Sequence, residues 1–168
     1  LLPIFAIEIL QVGPSAAGFL RSAMAAGSLT TGLALTMISM DRGVGRILFV
    51  TVIIYGAATV VFGLSEMYWL SLVAMATLGA ADMVSVYIRV TLIQIATPDD
   101  MRGRVNAVNS VFTGASNELG EARAGAMAAV FGAVSAVVFG GVAAIAVAIG
   151  CWYLFPALAK VQRMDRSL

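Results

Sequence analysis

Long apolar stretches separated by short polar connections dominate this sequence of 168 residues. A helix needs about 20 apolar residues to cross a hydrocarbon core of roughly 30 Å, so the chain is long enough for about five crossings joined by short turns. Hydrophobic residues make up 61% of the chain and charged residues only 11%, whereas charged residues approach about a quarter of a soluble domain. The sequence therefore predicts an all-α, polytopic transmembrane helix bundle without a separate soluble domain.

Polar connections divide the chain into segments. The sequence opens in an apolar stub, and the turn after it places Pro14 where a helix can begin. The stub resembles the cut end of a longer hydrophobic segment, so upstream sequence is expected; the alternative is a short polypeptide that lies partly in the membrane interface. The predicted segments are a partial helix at 1–11, full spans at 14–40, 47–64, 67–96, 105–131 and 134–158, and a tail at 159–168.

Basic residues occur in every second connection. They lie in the connections at 41–46 and 98–104 and in the C-terminal tail, whereas the turns around Glu66 and Gly132 contain no Lys or Arg. Cytoplasmic loops of membrane proteins carry an excess of Lys and Arg. The two basic connections and the C-terminus are therefore predicted to be cytoplasmic.

Ionisable residues also fall within the predicted spans. A charge at the bilayer centre costs about 3 kcal/mol on insertion scales, so these side chains are expected to face the bundle interior or a watery cavity and to pair with one another. Structural ion pairs would explain them, as would proton or substrate handling, and misplaced span boundaries would put them in headgroup water. The candidates for proton or substrate handling are Arg21, Asp82, Arg89, Glu118, Glu121 and Arg123.

The spacing of these charges separates two groups. Asp82 and Arg89 are seven residues apart, which places them on one helix face about 10 Å apart along the axis. That distance is too long for direct contact, so each is expected to need a partner on another helix. Glu118 and Glu121 are three residues apart, and their mutual repulsion would be relieved by a proton, as in a proton-coupled carrier. Neutralisation of the two glutamates by Arg123, or by Arg21, is the alternative.

Several other functions are excluded by residue content. The chain has no histidine and a single cysteine, Cys151, so neither a disulfide framework nor a Cys/His zinc cluster can form within it, and no metal or cofactor is expected. Intramembrane hydrolases need a nucleophile with a base, two Asp residues or a zinc motif, but Asp82 is the only Asp within a predicted span. An enzyme is therefore not expected. The net charge of +1 without a basic run also excludes nucleic acid as a partner.

The two basic connections carry motifs that resemble those of a known family. Asp41-Arg42-Gly43-Val44-Gly45-Arg46 resembles the signature of the major facilitator superfamily between the second and third helices of each half. Pro98-Asp99-Asp100-Met101-Arg102-Gly103-Arg104 resembles that family's connection between its tenth and eleventh helices. Gly79-Ala80-Ala81-Asp82-Met83 and Ser116-Asn117-Glu118-Leu119-Gly120-Glu121 further resemble the bacterial exporter branch that includes enterobactin exporters.

This resemblance implies an architecture and an activity. The stub would be the end of helix seven and the five spans helices eight to twelve, so the chain would be the C-terminal half of a twelve-helix carrier. Such carriers alternate access by rocking two halves around a midplane cavity. The implied function is proton-driven export of a small amphipathic molecule, such as a drug or siderophore, across a bacterial inner membrane; a truncated, non-transporting module that must pair with another half is the alternative.

The same resemblance implies partners and a gate. The partners would be the lipid bilayer, a small-molecule substrate, and either a missing N-terminal half or a second copy of the chain. Charge pairs and helix-dipole contacts at the cytoplasmic helix ends would hold one access state. The residues of this gate and loop motif are Asp41, Arg42, Gly43, Gly45, Arg46, Asp99, Asp100, Arg102, Gly103 and Arg104.

Overall fold

The computed structural model of the chain describes residues 14–37 and 44–154. This part of the chain contains no strand and folds into five helices: α1 Pro14–Met37, α2 Val44–Leu64, α3 Tyr68–Ala96, α4 Arg102–Phe131 and α5 Ala133–Leu154. The predicted all-α helix bundle is thereby confirmed. The predicted partial helix at 1–11, the connection residues 38–43 and the tail from 155 onward lie outside the described residues.

Three of the helices, α2, α3 and α5, are long and apolar enough to cross a membrane, judged on the described residues alone. They contain 21, 29 and 22 residues, which corresponds to about 30 to 45 Å of helix. Helices α1 and α4 are richer in Ser, Thr and Gly; α1 also carries Arg21, and α4 carries Asn and several charged residues. Crossing of the bilayer by these two helices stays a prediction.

Helices α2 and α4 begin earlier than the sequence predicted. The predicted starts were 47 and 105, whereas the helices begin three residues earlier, at Val44 and Arg102. The apolar pattern marks only the part of a helix that suits hydrocarbon. Backbone hydrogen bonding continues through the polar residues next to it, so the helix is longer than its apolar part.

The helices pack in the spatial order α1, α3, α2, α5, α4. Helix α1 packs on α3, and α3 also packs on α2. Helix α2 in turn packs on α5, and α4 packs on α5. The core therefore lies where α1, α2 and α3 meet, and α4 is at the edge. The buried core residues are Leu20, Ala58, Phe62, Ala74, Met75 and Leu78.

Glycines bring α1 and α3 into backbone contact. A Cβ atom on Gly27 would overlap the carbonyl oxygen of Ala76, and one on Gly79 would overlap the carbonyl oxygen of Met24. At the same crossing the Ser28 hydroxyl donates a hydrogen bond of 2.9 Å to the Gly79 carbonyl. Small residues allow this close approach, which membrane helices use to gain van der Waals contact and interhelical hydrogen bonds.

A second glycine crossing joins α2 to α5. A Cβ atom on Gly56 would lie 2.8 Å from the carbonyl oxygen of Gly141, and a Cβ atom on Gly141 would lie 2.8 Å from that of Gly56. Such reciprocal contacts are possible only because neither Gly56 nor Gly141 has a side chain. Gly79 and Gly141 therefore allow close packing of the helices at the two crossings.

The direction of the helices places the basic residues at one end of the bundle. Phe49, near the start of α2, contacts Trp152, near the end of α5, with ring centroids 5.4 Å apart. Gly63, near the end of α2, faces Val137, near the start of α5. Helix α4 reverses into α5 at Gly132, whose φ of 85° makes this tight turn possible. The described basic residues of both connections therefore share one end: Arg46, Arg102 and Arg104.

Candidate functional site

A cavity of about 250 Å³ lies between α2, α3 and α5. Helix α3 contributes Asp82, Ser85 and Arg89, and helix α2 contributes Thr51 and Tyr55. The α3 residues share a face because they are spaced by three and seven positions, close to whole helical turns. The rest of the lining is apolar: Val52, Ala81 and Ala144.

The cavity lies at mid-height of helix α3. Asp82 is the fifteenth of the 29 residues of this helix, so about 21 Å of helix separates it from either end. Ionisable side chains at such a depth in a membrane are costly and are usually retained for function. Asp82 is therefore well placed for a functional role among the described candidates.

Two opposite charges line the cavity without neutralising each other. Asp82 is half-buried and Arg89 is exposed, and Arg89 Nε donates a hydrogen bond of 3.4 Å to the Ser85 carbonyl of its own helix. Within residues 14–37 and 44–154, neither Asp82 nor Arg89 takes part in an ion pair. The seven-residue spacing thus places both charges in one cavity but keeps them apart.

The residues that face Asp82 from helix α2 are hydroxyl-bearing rather than charged. The Thr51 hydroxyl donates a hydrogen bond of 2.7 Å to the Ile47 carbonyl, so only its lone pairs remain for a ligand. Tyr55 is near enough to Asp82 for an electrostatic interaction. Sequence reasoning, which considered only ionisable groups, missed Thr51, Tyr55 and Ser85. Thr51 and Tyr55 are four residues apart and so share a face of the largely apolar helix α2, which was the available signal.

The other four candidate residues lie outside this cavity. Arg21 is exposed on α1, and Glu118, Glu121 and Arg123 are exposed in the middle of α4. No ion pair joins any two of the six predicted charges in the described part of the chain. The predicted neutralisation of the glutamates by Arg21 or Arg123 is thus not found there. Arg123 is two residues from Glu121 and points to a different side of the same helix, and Arg21 lies on α1, whereas α4 packs mainly on α5.

Helix α4 is the least covered part of the bundle. None of its 30 residues is buried, and every residue of its middle stretch, 110–123, is exposed. A Cβ atom on Gly114 or Gly120 would meet no other atom within 4 Å. This stretch carries Asn117 and both glutamates, which are unsuited to contact with lipid tails. We call residues 110–123 the open face of α4.

The motif at 98–104 forms the connection between α3 and α4. Arg102 forms an ion pair of 2.8 Å with Asp99, and its Nε donates to the carbonyl oxygens of Gln94 at 3.1 Å and Thr97 at 3.3 Å. The last carbonyls of a helix lack partners within the helix and favour a nearby cation. Arg102 therefore caps the end of α3.

The other residues of the two motifs lie beside this cap, at the start of α2 or outside the described residues. Asp100, Gly103 and Arg104 are exposed beside this cap, and at the start of α2 Gly45 is buried and Arg46 is exposed. The remaining members of the first motif lie outside the described residues: Asp41, Arg42 and Gly43. The gating role of the two motifs stays a prediction.

Replacing Arg102 by glutamine is expected to lower the free energy of unfolding by about 1 kcal/mol. Hydrogen bonds to charged groups contribute roughly 1.5 to 3 kcal/mol, and the 36% exposure of the Arg102 side chain reduces this through solvent screening. Thermal unfolding followed by circular dichroism in detergent would measure the change. Arg104→Gln is the matched control because Arg104 is exposed; equal losses in both variants would contradict the capping role.

Comparison with known families places the chain. Residues 1–167 match the family described as transmembrane secretion effector. Neither the curated proteins nor the solved structures gave a significant match. The matched range includes all five helices and both loop motifs, and it indicates a multi-pass membrane transporter rather than an enzyme. The chain belongs to the transmembrane secretion effector family of the major facilitator superfamily.

Proposed function

We propose that this chain is the C-terminal half of a secondary carrier that exports a small amphipathic molecule, such as a drug or siderophore, driven by the proton gradient. The observation that carries this proposal is the cavity at mid-height of α3, lined by Asp82, Arg89 and Tyr55. Carriers of this kind bind substrate near the bilayer midplane, which is the depth expected for Asp82 in the middle of α3. The family match supports a membrane transport and efflux role.

The open face of α4 supports a partner half in the assembled carrier. This face carries Glu118 and Glu121, and each charge facing lipid at the bilayer centre would cost about 3 kcal/mol. A second protein half, with water between the halves, removes that cost. We assign the open face to contact with an N-terminal six-helix half; a second copy of this chain is the other arrangement that would cover it.

The proposed orientation follows from the distribution of basic residues. Arg46, Arg102 and Arg104 share one end of the bundle, and the excess of Lys and Arg on the cytoplasmic side of membrane proteins favours that end as cytoplasmic. The C-terminus would then also be cytoplasmic. The resemblance to bacterial exporters favours the inner membrane as the location.

Replacing both Glu118 and Glu121 by glutamine is expected to remove the pH dependence of efflux. An amide side chain cannot take up or release a proton, and the open face carries both carboxylates where the proposed aqueous space between the halves would reach them. Initial rates of dye efflux from vesicles at a series of pH values would measure this. The full-length carrier is used, with the melting temperature as a check on folding.

Glu66→Gln is the control for this pair. Glu66 is an exposed glutamate in the turn between α2 and α3, away from both the cavity and the open face. It is expected to keep the wild-type pH profile. A Glu118→Gln/Glu121→Gln double variant that folds normally and retains the wild-type pH profile would exclude the two glutamates from proton coupling.

A further inference from the structure

We infer that the cavity between α2, α3 and α5 binds a zwitterionic molecule or head group, with its cationic group at Asp82 and its anionic group at Arg89. This inference rests on the proposed function, because it names a substrate class for the same cavity. It goes beyond that function by requiring two opposite charges on the ligand instead of general amphipathic character.

The charges of the cavity provide the first argument. Asp82 and Arg89 both line it, and neither forms an ion pair with any described residue. Asp82 is half-buried and so partly removed from water, which is costly for an unpaired charge, and a partner of opposite charge offsets that cost. Arg89 is exposed, so its guanidinium is open to an anionic group. A purely cationic ligand would neutralise Asp82 but leave Arg89 unpaired, and a purely anionic ligand would do the reverse. A zwitterion neutralises both and adds no net charge.

The geometry of the lining provides the second argument. Seven residues of helix separate the two charges, or about 10 Å along the axis, and Ser85 lies between them. Arg89 Nε donates a hydrogen bond to the Ser85 carbonyl, which holds its guanidinium against its own helix. A ligand that reaches both therefore needs its charges separated by a spacer of several atoms.

The walls between the charges suit such a spacer. Val52, Ala81 and Ala144 are apolar, and Tyr55 adds an aromatic ring. The volume of about 250 Å³ is slightly below the roughly 300 to 1,000 Å³ of sites that hold drug-sized ligands. The cavity therefore fits a small zwitterion, or the zwitterionic head of a larger amphipathic molecule.

Three linear probes with a six-carbon chain test the inference. 6-Aminohexanoate carries both charges, hexylamine only the cation and hexanoate only the anion. Binding to the detergent-solubilised chain is measured from the rise in melting temperature with probe concentration. We expect 6-aminohexanoate to bind at least about tenfold more tightly than either single-charge probe, since each close charge pair is worth more than one factor of ten.

Variants of the two charged residues separate the contributions. In Asp82→Asn the advantage of 6-aminohexanoate over hexanoate should disappear, and in Arg89→Gln its advantage over hexylamine should disappear. Each comparison is made within one variant, so a change in stability does not affect it. Glu66→Gln, at an exposed position outside the cavity lining, should keep the full preference for the zwitterion.

The outcomes are distinct. Equal binding of 6-aminohexanoate and hexylamine, or of 6-aminohexanoate and hexanoate, by the wild-type chain would overturn the inference, as would a preference that survives in both cavity variants. Failure of proton-driven transport with retained zwitterion preference would contradict the proposed export mechanism but leave the binding inference standing. Proton-driven transport without any binding preference for the zwitterion would overturn the binding inference but leave the proposed export mechanism standing.

Discussion

Replacing Gly79 by alanine is expected to lower the free energy of unfolding of this chain by about 3 kcal/mol, because overpacking of a tight contact costs roughly 1 to 3 kcal/mol and a lost hydrogen bond about 1 kcal/mol. The new Cβ atom would overlap the Met24 carbonyl oxygen and lie 2.9 Å from the Ser28 hydroxyl oxygen. Backbone atoms cannot swing away, so α1 and α3 would have to separate. That separation would break the Ser28 to Gly79 hydrogen bond.

Gly114→Ala on the open face of α4 is the matched control. A Cβ atom there meets nothing within 4 Å, and alanine is favoured over glycine inside a helix by about 1 kcal/mol. Thermal unfolding in detergent should therefore show a lower melting temperature for Gly79→Ala and an equal or higher one for Gly114→Ala. Equal melting temperatures for the two variants would refute the α1 to α3 crossing described above.

Replacing Asp82 by asparagine is expected to reduce the initial rate of transport by at least about tenfold. The variant would lose the proposed charge pair between Asp82 and a cationic group of the substrate, and one close charge pair contributes about 1.4 kcal/mol or more. Asparagine has nearly the same shape but can neither neutralise a cationic group nor exchange a proton. Asp82 is not part of any ion pair among the described residues, so the fold should tolerate the change. The measurement is dye efflux from vesicles containing equal amounts of folded carrier.

Glu66→Gln again serves as the control for loss of a carboxylate. It should transport at the wild-type rate, because its exposed turn lies outside the cavity. An Asp82→Asn variant that is folded and transports at the wild-type rate would remove Asp82 from the site.

The fold was largely predictable because the features that determine its helices lie close together in the sequence. Apolar stretches and short polar turns are enough to define five helices, and alternating basic connections are enough to place Arg46 and Arg102 at one end. Helix ends were less predictable, since α2 and α4 continue into polar residues. The packing of α1 against α3 was also not predictable, because it depends on contacts between residues far apart in the sequence, where Gly27 meets Ala76 and Gly79 meets Met24.

The candidate site was predicted only in part. Charge alone selected Asp82 and Arg89 as candidates, and their role stays a prediction. The spacing also predicted a partner for each on another helix, but no ion pair to either is found among the described residues. Charge could not identify Tyr55 or Thr51, because their role depends on how α2 is rotated toward α3. It also could not distinguish Asp82, at the cavity, from Glu118, on the open face of α4, since both lie in the middle of a helix.

The most direct test of the proposed export function is dye efflux from vesicles under an imposed proton gradient. One set of vesicles contains this chain alone, and another contains it joined to the N-terminal six-helix half proposed as its partner. The proposal predicts gradient-dependent efflux from the joined protein and none from the chain alone; efflux from the chain alone would identify a second copy as the partner. Absence of gradient-dependent efflux from both, with both proteins folded and inserted, would contradict the assignment as a proton-driven exporter.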